Sequence, residues 1–158
     1  MIQRPEYLDF LIKLKDKKII KVITGIRRCG KSTLFKLFKE YLLENKVSKE
    51  QIISINFENP KDNIFNDWQE LYNYINKKLV KNKMNYIFLD EIQILNNFEK
   101  VVDGLFIKDN TLLNIHYSLL LFNLIPIYPL DGSKIVNVIF NNFFDFNVNY
   151  LLITIIGL

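Results

Sequence analysis

A chain of 158 residues has the length of one ordinary domain, and 49% hydrophobic with 24% charged residues excludes a disordered or collagen-like polypeptide. One cysteine, Cys29, excludes an internal disulfide, and nothing in the sequence suggests a cysteine-based metal site. The net charge of +4 is compatible with acidic partners such as nucleotide, nucleic acid or anionic lipid. The N-terminus carries no signal-peptide pattern. Instead, Tyr7, Leu8, Leu11, Ile12 and Leu14 recur at helical spacing and predict a helix over 5–15. The β-branched run at 19–24, closed by Gly25, predicts a strand. From Gly30 the spacing of Leu34, Phe35, Phe38 and Leu42 turns helical, up to about Asn45. A second strand is predicted at 52–57, a helix at about 66–81, a third strand at 86–89 ending in Asp90 and Glu91, and a helix at 98–107. Strands alternating with helices argue for an α/β fold, a parallel sheet with helices on both faces.

The chemistry falls at the ends of the first and third strands. Gly25-Ile26-Arg27-Arg28-Cys29-Gly30-Lys31-Ser32 fits G-x-x-x-x-G-K-[ST] in the strand-to-helix setting that this phosphate loop requires. Polyphosphate charge is met by backbone N–H groups, so the loop must bend tightly, and the next helix aims its dipole at the phosphates. In that reading Lys31 reaches the β- and γ-phosphates, the Ser32 hydroxyl ligates Mg2+, and Thr33 adds a contact at the helix start. Arg27 and Arg28 frame the nucleotide or meet a neighbouring subunit; a nucleic-acid role is not indicated. Cys29 fills a variable position. Two adjacent carboxylates at the end of a buried strand need a cation or a reaction to use them. Asp90 is therefore expected in the Mg2+ shell, and Glu91 as the general base that polarises the attacking water.

These residues resemble a bacterial and archaeal family of AAA-type P-loop ATPases. The likeness rests on Arg4-Pro5-Glu6-Tyr7-Leu8, on residues 23–33 (Ile-Thr-Gly-Ile-Arg-Arg-Cys-Gly-Lys-Ser-Thr) and on Leu89-Asp90-Glu91-Ile92-Gln93, and covers about residues 1–109. The resemblance implies a P-loop sheet, ATP and Mg2+ as cofactors, and Asn56 or Glu58 near the γ-phosphate. It also implies a homo-oligomer or a partner subunit that supplies an arginine, because none follows Arg28. A further strand, between the first and third in the sheet, would carry a polar sensor residue. The expected Thr-Gly-Ser ending is absent; residues 112–117 fit that strand by hydrophobicity, with His116 or Ser118 as a substitute sensor. A packed or surface position is the other reading of His116, which cannot form a metal site alone.

Charge breaks at Asn110, since the 48 residues after it hold only Asp131, Lys134 and Asp145. Two regions follow: a truncated ATPase domain at 1–110, and an apolar tail at 111–158, expected to be helical and either membrane-associated or foreign. Residues 112–130 carry no formal charge over 19 positions, near the ~20 of a membrane-spanning helix. Asn123, Pro126, Pro129, Leu130, Asp131 and Gly132 resemble a signature of site-2-type intramembrane zinc metalloproteases, without their His-Glu-x-x-His motif. The expectation is thus a cytoplasmic, Mg-dependent ATP-binding domain with membrane contact through its tail. Hydrolysis, nucleotide binding without turnover, and a non-functional truncated or fused product all remain open readings.

Overall fold

The computed structural model describes residues 5–25, 30–60, 65–118 and 150–155. In chain order these form helix α1 (Pro5–Lys13), strand β1 (Ile20–Gly25), helix α2 (Lys31–Glu44), strand β2 (Ile52–Asn56) and helix α3 (Trp68–Lys78). Strand β3 (Asn85–Asp90), helix α4 (Phe98–Phe106), strand β4 (Thr111–Ser118) and strand β5 (Tyr150–Ile155) follow. Helix α2 starts at Gly30, whose φ of 95° is open to glycine but strained for other residues. Asp67 begins α3 by accepting the Glu70 N–H at 2.8 Å, and Lys77 and Lys78 oppose the negative end of that helix.

All strand pairs are parallel, in the order β2-β3-β4-β1-β5. Side chains along β1, β2, β3 and β4 alternate between two cores, as the two-residue period dictates. From β3, Tyr86 and Phe88 join Leu11 of α1 and Phe35, Phe38 and Leu42 of α2. Ile87 and Leu89 face the other way, onto Leu71 and Ile75 of α3 and Val101, Val102 and Leu105 of α4. A strand covered on both faces needs apolar residues on both, which is why these runs show no polar alternation.

That rule also corrects the reading of the tail. The charge break at Asn110 is no break in the sheet: β4 begins at once and occupies the sensor-strand position between β1 and β3, the place that residues 112–117 fit by hydrophobicity. Residues 112–118 are therefore strand, not the start of a membrane helix. Their apolar character reflects a central strand, with Leu112, Leu113 and Ile115 all buried. Residues 150–155, also expected to be helical, pair along β1 instead. Among the described residues no helix is long and apolar enough to cross a membrane. The protease-like segment at 122–132 lies outside the described residues.

Candidate functional site

The C-terminal ends of β1, β4 and β3 lie side by side. His116 sits level with Ile23 on one side and Asp90 on the other, so the ends of β1 and β3 are two strand spacings, about 10 Å, apart. The two sequence motifs therefore meet at one edge of the sheet. Gly25 ends β1, and Lys31, buried in the first turn of α2, turns back to donate to the Gly25 carbonyl at 2.9 Å. Ser32 is exposed and Thr33 half-buried in the same turn. Ile26, Arg27, Arg28 and Cys29, the middle of the loop, lie outside the described residues.

Asp90 and Glu91 are both buried. Glu91 takes the left-handed conformation (φ 58°, ψ 39°), a departure that costs a non-glycine residue about 1–3 kcal/mol and persists only where its surroundings enforce it. The sharp turn starts a short helical turn, Ile92–Ile94, and keeps both carboxylates at the sheet edge. The Glu91 backbone N–H donates to the His116 carbonyl at 3.1 Å, fastening this turn to β4.

His116 is the residue that the sequence undervalued. Its ring lies edge-on to Phe35 with centroids 6.1 Å apart, and its Nδ1 meets Asp90 Oδ1. Its Nε2 lies 3.5 Å from Glu91 Oε1 and has no hydrogen-bond partner, although the side chain is almost wholly buried. Burial, helped by the positive charge of Lys31, pushes the imidazole down to about 3 and leaves it neutral at pH 7. Gln93 donates its amide N–H to Glu91 Oε2, a contact that only its place in Asp90-Glu91-Ile92-Gln93 hinted at. Asn56 ends β2 level with Asp90, but its carboxamide oxygen accepts the Glu58 N–H at 2.9 Å, while Glu58 is exposed.

The donor types suit a hard divalent ion. Carboxylate and hydroxyl oxygens are what Mg2+ prefers, and Asp90 and Ser32 supply them at the same end of the sheet. A helix N-terminus and a buried lysine beside them present positive potential to a phosphate.

Comparison with known proteins agrees with this architecture. Residues 17–119 match the family described as "AAA domain". A Haemophilus influenzae protein described as uncharacterized is 37% identical over 112 residues, which cover 70% of this chain and 28% of that one. The chain thus spans 28% of the length of this relative. Among solved structures, one of Drosophila ORC bound to DNA superposes with a TM-score of 0.55 at 12% identity, covering 96% of this chain and 89% of that one. A structure of C. elegans PCH-2 gives 0.50 at 17% identity over 94% of this chain and 39% of that one. At such low identities the likeness is one of fold, and the protease likeness of the tail finds no support among these matches. A match over more than half of the chain, on a parallel sheet with the further strand between β1 and β3, makes this protein a member of the AAA-domain family.

Proposed function

We propose that the chain binds ATP with Mg2+ and hydrolyses it at the edge formed by β1, β3 and β4. The observation that carries this reading is the meeting of Lys31 and the Asp90–Glu91 pair at one end of the sheet, with only β4 between their strands. Gly25, Ile26, Arg27, Arg28, Cys29, Gly30 and Thr33 would wrap the phosphates, and Lys31 would clamp the β- and γ-oxygens. Ser32 and Asp90 would hold Mg2+, which supplies charge neutralisation on the transferring phosphoryl group. Glu91 would accept the proton of the attacking water as the bond from the γ-phosphorus to the ADP oxygen breaks. An arginine from a second copy or another subunit would complete the site, since this chain has none after Arg28.

Nucleotide binding without turnover is the alternative, and the environment of Glu91 favours it: Gln93 already holds one carboxylate oxygen. Isothermal titration of ATP with Mg2+ tests binding. Phosphate release from Glu91→Gln separates the two readings: hydrolysis requires a fall of about 10²–10⁴-fold with binding retained. An unchanged release rate would remove the enzyme reading.

A further inference from the structure

Asp90, Glu91 and His116 offer one donor atom each, all within 4.8 Å of one another and all on buried residues. We propose that this cluster binds a divalent transition cation of the zinc–cobalt class, through His116 Nε2 and Glu91 with Asp90 behind the imidazole, and does so without nucleotide.

The hydrogen bonding of the imidazole fixes which nitrogen is available. Facing the carboxylate oxygen of Asp90 at contact distance, Nδ1 must carry the proton and donate it. The opposite tautomer would press two lone pairs together there. Nε2 is then a bare lone pair, buried, without a hydrogen bond, and 3.5 Å from Glu91 Oε1. Two acceptors facing one another out of water repel, and a shared cation is the arrangement that makes such a contact favourable. The spacing fits: two donors each 2.0–2.2 Å from a tetrahedral ion are separated by about 3.4 Å. A carboxylate that accepts the second ring N–H of a ligating histidine is a recurrent support for such metals, because it fixes the ring and raises its basicity. Asp90 stands in that place.

The donor set also selects the ion. Imidazole suits zinc, cobalt and nickel, whereas Mg2+ demands oxygen. An ion held by Glu91 would engage the carboxylate assigned above as the base, so its occupancy would oppose hydrolysis.

His116 is the sole histidine of the chain, so the untagged protein with ¹⁵N-labelled histidine gives one pair of ring-nitrogen signals. Titrating Zn2+ into the full chain without nucleotide should move the Nε2 signal until one equivalent is bound, while Nδ1 stays protonated. Mg2+ at the same concentration should leave both signals in place. Glu91→Gln should weaken zinc binding at least about tenfold, scored on the same signal. An Nε2 signal that ignores zinc would overturn the site, because a proton or water then fills the gap. A response equal for Mg2+, or a zinc affinity untouched in Glu91→Gln, would overturn the ion class or the ligand set. Cobalt absorption with a thiolate charge-transfer band would assign the metal to Cys29 instead. ATP titration with Mg2+ is a separate measurement, so this site and the nucleotide site can each fail alone.

Discussion

Both ends of the sheet bury polar side chains, yet they treat them differently. At the N-terminal edge Asn85 is fully buried and donates to the carbonyls of Val80, Lys83 and Asn110 at 2.9–3.1 Å, while its own oxygen accepts the Val80 N–H at 2.9 Å. Thr111 donates to the carbonyls of Leu105 and Lys108, and the Tyr86 hydroxyl donates to Asp16 at 2.6 Å. Lys21, wholly buried, keeps its ammonium 3.5 Å from the Lys17 carbonyl. At the C-terminal edge, two acids and an imidazole converge with a nitrogen left over. Polar groups satisfied by their own chain hold a fold in register; a buried cluster with an unanswered nitrogen is arranged for something from outside.

Substitutions at the two edges should therefore separate function from stability. The largest effect is expected at Lys31→Met: a loss of about 10²-fold or more in ATP affinity with the far-ultraviolet circular dichroism spectrum unchanged. Collapse of that spectrum would erase the distinction between the edges. Lys21 gives the next largest effect, and it is a matter of pH. Burial, opposed by Asp16, lowers its ammonium to about 8 in the folded chain, so between pH 8 and 10 the unfolded chain binds more protons and stability rises with pH. Urea unfolding should show that rise, on the order of 3 kcal/mol from Lys21 at most, and Lys21→Met should remove most of it, leaving the part due to Lys18 and Lys39, whose ammoniums burial also lowers. Above this window Tyr86 reverses the trend, because burial and Asp16 hold its phenol proton past the usual range. Asn85→Ala should lower unfolding free energy by about 2–3 kcal/mol and leave ATP affinity alone, because it strips bonds from buried backbone groups. Thr111→Val preserves shape and removes only the hydroxyl, for about 1 kcal/mol by the same measurement.

Local patterning was enough to read the front of the chain. The spacing of Leu34, Phe35, Phe38 and Leu42 revealed α2, and the run from Tyr86 to Leu89 before two acids revealed β3 with the carboxylates in place. The sequence misled where burial depends on distant partners. Residues 112–116 look foreign beside the charged stretch before them, but their neighbours are β1 and β3, about ninety and twenty-five residues earlier. For His116 the sequence leaves a substitute sensor and a packed or surface position both open, for the same reason. Its meaning comes from standing level with Asp90, and strand register is not written in local spacing. The left-handed turn at Glu91 carried no glycine to announce it.

The placement of β1 also bears on how the chain acquires its structure. Strands β2 and β3 can zip together as soon as residue 90 has been made, but β1, started at residue 20, pairs only with β4 and β5. During synthesis its backbone therefore waits, both sides open, for segments emerging long after it. Long-range parallel pairing of this kind is slow and prone to capture by other chains. The strand that delivers the phosphate loop thus meets its pairing partners only once residues 111–118 have been made.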